Sequence, residues 1–257
     1  MAAIRPEDPS SNPNLPGSEG QAFDFSLRVG GEVLQFRGTM PPGSCRAGDL
    51  LPLFWSIGQA ILDAVLRQPG HDQKVSCGPA CGACCRQAVP VSETEAGYLR
   101  DVVIPSLDEP QRNRVLTRIR EASERLRTAG LEETLREMPE ESDPARRQAI
   151  GVRYFLAGIP CPFLEDESCS IHPQRPMACR EYLVTSPARH CSTPSDGNVR
   201  PVEIPVKASH ALIRLDKDSR NGPGWTPMLQ ALLDSTADVE REVDPSRHLE
   251  KFLNALA

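Results

Sequence analysis

Cys77-Gly-Pro-Ala-Cys81-Gly-Ala-Cys84-Cys85-Arg86 places four cysteines within nine residues. Thiolates three or four positions apart can converge on one metal or cluster, because a short turn brings their sulfurs into a common shell. The flanking glycines let the backbone approach closely and aim amide N–H groups at the sulfurs, which stabilises the anionic form. Cys84 and Cys85 are adjacent, so their side chains diverge and do not readily serve one tetrahedral ion. The pair points to two metals or to two edges of a polynuclear cluster. A structural zinc site draws instead on two well-separated cysteine pairs. The stretch therefore predicts a loop-borne metal or cluster site, around which the rest of the fold has to be arranged.

A looser second group follows at Cys161, Cys169, Cys179 and Cys191. Cys161 and Cys169 flank the acidic run Glu165-Asp166-Glu167, which reads as a hairpin tip between two ligands rather than a hard-metal site. Arg175 and Arg180 fall close by, where guanidinium groups would offset the negative charge of a four-thiolate cluster and tune its potential. Cys191 is favoured as the eighth ligand over its neighbour His190, and Cys45 stands apart as a spare thiol. The rival reading is a disulfide framework. Met1 to Ser10 show no basic flank followed by an apolar core, so the expected compartment is the cytoplasm, where thiols stay reduced. A chain of 257 residues can also bury a core without covalent staples.

Lys plus Arg number 29 against 35 Asp plus Glu, a net charge of −6. That balance predicts no general attraction to nucleic acid or anionic lipid. Arg112, Arg114, Arg118, Arg120, Arg125 and Arg127 form a basic stretch, but Glu121 and Glu124 interrupt it and no aromatics are interleaved, so it reads as a solvated helix face. Leu50 to Leu66 is the longest apolar stretch. Gln59 and Asp63 interrupt it, and it reads as a core helix, too short and polar for a bilayer span. No phosphate loop, dinucleotide fingerprint, nucleophile elbow or His-Glu-x-x-His motif is present, which leaves nucleotide-driven and hydrolytic chemistry without support.

The predicted fold class is mainly α (α+β), a helical domain with an N-terminal β-hairpin. Residues 1–20 read as a disordered tail. Phe23, Phe25, Leu27 and Val29 alternate up to Gly30-Gly31, then Val33, Leu34 and Phe36 continue, a hairpin with a glycine turn. A helix is expected over about 49–67. Ser92 and Glu95 form a capping box for a helix to about Val103, with Pro105 and Pro110 as the punctuation after it. A longer helix, about 108–129, carries Val115, Ile119, Ala122 and Leu126 on one stripe, and Asp143-Pro144 opens another to about 157. Val206, Leu212, Ile213 and Leu215 suggest helix. Thr226-Pro227 reads as a cap and first-turn proline for a helix to about 234, and Ser246 as the cap of a final one. The expected units are 21–70 (hairpin and apolar helix), 71–195 (cysteine-cluster domain) and 196–257 (helical extension).

Several segments together resemble the YkgJ-type cysteine-cluster proteins, also described as zinc- or iron-chelating CxxCxxCC domains. They are Cys81-Gly-Ala-Cys84-Cys85-Arg86, Val91-Ser92-Glu93-Thr94-Glu95-Ala96, Cys161-Pro-Phe-Leu, Cys169-Ser-Ile and Arg175-Pro-Met-Ala-Cys179-Arg180-Glu-Tyr182. The resemblance spans about residues 77–191. Cys77 precedes Cys81 by three intervening residues where the family commonly has two, and His172 stands where the family often has Tyr; beside Pro173 it reads as a loop residue. The resemblance implies an iron–sulfur cluster, iron or zinc, held by Cys77, Cys81, Cys84, Cys85, Cys161, Cys169, Cys179 and Cys191. The first functional reading is a redox, electron-transfer or metal-handling protein with a possible redox or protein partner. A structural zinc module for protein binding is the second, and lysine methyl transfer, from a distant likeness to flagellin lysine methylases, is the third.

Overall fold

In the computed structural model, which describes residues 20–68, 75–78, 80–141, 143–194, 197–219, 222–234 and 241–256, the alternating apolar residues near the N-terminus form a long antiparallel hairpin. Strands β1 (Gln21–Val29) and β2 (Glu32–Met40) pair with Phe25 opposite Phe36 and Leu27 opposite Leu34. Gly30 turns the chain at φ +60°, a conformation that costs glycine little. Because side chains alternate across a strand, Phe23, Phe25, Leu27, Leu34 and Phe36 share one face and pack on the core. The expected tail, save Gly20, lies outside the described residues.

Short strand β3 (Cys45–Arg46) leads through a 3₁₀ turn, Ala47–Leu50, into α1 (Leu51–Arg67). Counted from Ala47, this is 21 residues containing an 18-residue window of mean hydropathy 1.4, long and apolar enough by length and composition to cross a bilayer. Gln59 and Asp63 do not disqualify it on those grounds, contrary to the sequence expectation. Over half of it is buried, however, and Leu51, Phe54, Ile57, Ile61 and Val65 form the centre of the largest core cluster, as in the central helix of a folded domain.

Beyond the first cysteine group come β4 (Pro90–Ser92), α2 (Glu93–Tyr98), a π-helical turn Leu99–Val103 and α3 (Ile104–Ser106). Ser92 accepts from Glu95 N–H and Glu95 reaches back to Ser92 N–H, the reciprocal box expected there. Pro105 does not end the helix. It falls in the first turn of α3, where no N–H is required of it. Asp108 caps α4 (Glu109–Thr128), whose buried residues are Val115, Ile119, Ala122 and Leu126, the predicted stripe. Then come α5 (Glu132–Glu137), missed from sequence, and α6 (Pro144–Leu156), capped by Asp143.

The second cysteine group occupies strands β5 (Leu164–Glu165) and β6 (Ser168–Cys169), helix α7 (Met177–Glu181) and connecting turns. The chain closes with α8 (Ala208–Ser219), β7 (Trp225–Pro227), α9 (Met228–Leu233), β8 (Glu242–Val243) and α10 (Pro245–Leu256). Two sequence assignments are corrected here. Thr226 and Pro227 are not a cap and first helical residue but belong to β7, which pairs with β4. Ser246 lies inside α10, and Asp244 accepts from Arg247 N–H instead.

Strand pairing and packing tie distant segments together. β3 pairs with β8 and β4 with β7, while the main core joins α1, α8, α10, the hairpin and Met177 of α7. Phe54 and Phe252 stack at 4.2 Å within it. Gly58 lets α1 come close to α7 and α8: a Cβ there would stand 2.5 Å from Met177 Cε and 2.8 Å from Ala208 Cβ. A second cluster joins α2, α4 and α9 to Phe163 and Ile171, and a third joins α4, α5 and Tyr154. The cysteine-bearing turns are thus braced by helices on several sides.

Candidate metal centre

Cys84 and Cys85 sit in a 3₁₀ turn, Ala83–Arg86, closed by Cys85 N–H donating to Gly82 O at 3.0 Å. Cys85 O accepts from Cys161 N–H at 2.7 Å, so the two cysteine groups meet through backbone. On the other side of the turn, Arg86 forks onto Glu167 at 2.7 and 3.1 Å and also donates to Gly82 O. Glu167 and Asp166 form the tip between β5 and β6, both at positive φ. Glu165, also on this hairpin, receives Arg114 at 2.8 Å and Arg118 at 3.3 Å from α4. The acidic run is therefore a clamp that presses the β5–β6 hairpin onto the cysteine turn. Gly82 leaves the room: a Cβ there would lie 2.6 Å from both Leu164 Cδ1 and Glu167 Oε2.

Cys77 is fixed from the opposite direction. Ser76 N–H donates to Val184 O at 2.9 Å, Val184 N–H points at Cys77 Sγ at 3.4 Å, and Ser76 Oγ donates to Ser186 O. Cys179 rides on α7, and the N-terminus of that helix is held by a buried carboxylate. Glu95 Oε1 accepts from Met177 N–H at 2.8 Å and from Trp55 Nε1–H at 3.0 Å. Burial raises the Glu95 pKa, and these donors oppose the rise. Sequence reasoning saw Glu95 only as half of a capping box and missed this bridge from α1 to α7. A buried Glu beyond its cap has no local signature.

The eight cysteines outside β3 form one electrostatic neighbourhood. Charge on Cys81 and Cys84 opposes ionisation of Cys77, and Cys77, Cys84 and Cys81 oppose that of Cys191. Cys161 is opposed by Cys179, Cys169 and Cys84. Burial is the leading cause of raised pKa at each of these three and at Cys179, which is pushed up to about 12. Cys84 is raised first by its hydrogen bond with Cys85 and then by burial. Cys84 thus belongs to both groups. Buried thiols that resist ionisation together are what a bound cation would relieve.

Arg175 acts in the opposite direction, favouring the thiolates of Cys77, Cys84, Cys169 and Cys179. Its Nε is buried without a hydrogen-bond partner among the described residues. An unsatisfied guanidinium donor beside thiols fits an anionic metal–thiolate complex, as does the N–H aimed at Cys77. The sulfurs are gathered but not closed: among the described residues, no three His, Cys, Asp or Glu side chains already form a group that could hold an ion. The donor chemistry fits a thiophilic metal, and the shell would have to tighten around it.

Cys45 is buried apart from the others, with Asp49, Asp244 and Glu242 as its charged neighbours. His172 is exposed in a turn beside Pro173, and His190 is half-buried with Nδ1 2.8 Å from Asn198 O. Arg180 donates through Nε to Arg175 O at 3.0 Å and through Nη2 to Pro173 O, and its guanidinium lies 5.1 Å from the Trp55 ring centre.

The chain's turns gather eight thiols on a mainly helical frame, a donor set of the kind that cysteine-rich metal sites use. Residues 76–198 match the CxxCxxCC family model, described as "Putative zinc- or iron-chelating domain". No curated protein and no solved structure matches the chain.

Proposed function

We propose that the centre holds iron as a cysteine-ligated, polynuclear iron–sulfur assembly and that the protein serves electron transfer or metal handling in a reducing compartment such as the cytoplasm. The observation that carries this reading is the meeting of the two cysteine groups at the Cys84–Cys85 turn: Cys161 N–H donates to Cys85 O at 2.7 Å, and charge on Cys84 would act on Cys77 and Cys191 on one side and on Cys161, Cys169 and Cys179 on the other. Two independent four-thiolate zinc sites would have no need of a common member. The residues that would hold the metal are Cys77, Cys81, Cys84, Cys85, Cys161, Cys169, Cys179 and Cys191, with Arg175 offsetting their charge. Such a cluster would supply one-electron chemistry. The chain's own residues press the loops together and point N–H donors at sulfur.

The test is to measure iron, zinc and acid-labile sulfide per chain, with an absorption spectrum, after anaerobic purification without added metal. Iron with sulfide supports the cluster. Stoichiometric zinc in colourless protein overturns it in favour of a structural module, in which metal binding would contribute folding energy and no redox chemistry.

A further inference from the structure

Beside the centre, an open-mouthed cavity of about 580 Å³ lies between α1 and the Pro173–Arg180 segment. Its apolar wall comes from Pro52, Trp55, Ala60, Tyr98 and Pro173. Trp55 and Tyr98 meet edge to face at 5.6 Å, which gives the wall a fixed aromatic corner. The polar groups differ in character. Arg180 lies across Trp55 with Nε and Nη2 engaged by backbone carbonyls; among the described residues no acceptor meets Nη1 and no carboxylate lies within ion-pair distance, the buried Glu95 acting on this guanidinium only from beyond it. Asp63, also lining the cavity, is occupied by the Gln59 amide at 2.9 Å.

We propose that this cavity binds a small organic monocarboxylate with an aromatic or aliphatic body, its carboxylate on Arg180 and its body against Trp55 and Tyr98. A half-buried guanidinium held in place by two carbonyls is pre-oriented to receive an anion, and little side-chain entropy remains to be lost on binding. A single cation suits a single negative charge. Phosphate chains would need more donors than Arg180 offers, and Asp63 would repel a second anionic group. The volume lies within the range of small-molecule sites. Pro173, Gln174 and Arg180 share one short segment with Cys179, so a ligand here sits beside the cysteine-bearing turns.

Trp55 and Trp225 are the protein's two tryptophans, so fluorescence of the full chain carrying Trp225→Phe reports on Trp55 alone. Phenylacetate should change that signal saturably, and phenethylamine, a cation of similar shape, should not. Arg180→Gln should weaken phenylacetate binding about tenfold or more. Ala60→Trp, which fills the cavity and leaves Arg180 in place, should abolish it. Phenylacetate binding unchanged in both variants, equal binding of the cation, or no saturable response would each overturn the proposal. Iron and sulfide measured on the same samples judge the metal centre separately, whatever the titration shows.

Discussion

Cys84 is the residue on which the metal reading turns, because its thiol belongs to both cysteine groups. Cys84→Ser should strip most of the metal and destabilise the surrounding turns, while Cys45→Ser, buried but remote from the others, should leave metal content unchanged; metal analysis of the two purified variants checks both. Gly82→Ala asks a different question at the same turn. The added methyl would lie 2.6 Å from Leu164 Cδ1 and 3.2 Å from Glu167 Cα, and the latter is backbone that cannot swing away. The β5–β6 hairpin should lift off the turn, at a cost of about 1–3 kcal/mol by the usual scale of overpacking, seen as a lower urea midpoint and reduced metal retention. The sequence made the donors legible, since cysteine spacing is local. Gly82's packing role and the Glu95 bridge to Trp55 and Met177 depend on partners 40 and more residues away, so no window of sequence displays them.

Among the elements, α10 carries a titratable group in an apolar place. His248 is buried 5.9 Å from the ring of Phe54, and burial first, then Arg241 and Lys251, lower its pKa to about 4 from an ordinary 6.5. The folded protein therefore binds fewer protons than the unfolded chain between these values. Stability is full above pH 6.5 and is lost as pH falls through 6.5 towards 4, by up to about 3 kcal/mol. Urea unfolding at pH 7 and pH 5 should show this loss in the parent and a shallower one in His248→Phe; an equal loss in both would remove His248 as the cause. Elements with strong periodicity were readable in advance. The hairpin and α4 declare themselves by alternation and by a stripe at helical spacing. β4 and β7 do not, because each is three residues long and the pairing spans more than 130 residues. Thr226-Pro227 has the chemistry of a helix start and was claimed by that pairing instead, tertiary structure overriding a local signal.

At the scale of the molecule, the family-matched segment 76–198 depends on chain that lies outside it. Met177 is fully buried against α1 and α8. Glu95 depends on Trp55 for one of its donors. Thr94 is held by Asp216 at 2.7 and 2.8 Å, Glu181 accepts from Ser209, and β4 has its strand partner in β7. Removing α1, α8 and β7 would expose Met177 and leave the Glu95 and Glu181 carboxylates short of donors in surroundings built to be dry, which is costly for any folded state. A fragment of residues 76–198 should therefore lack cooperative unfolding and bind metal far more weakly than the full chain, as read by circular dichroism on heating and by metal retained after gel filtration. A fragment that folds cooperatively with full metal content would show that the cysteine turns organise themselves. In the intact chain, by contrast, α1 and α8 should be the last segments to exchange their amide hydrogens, because the largest core cluster passes through both.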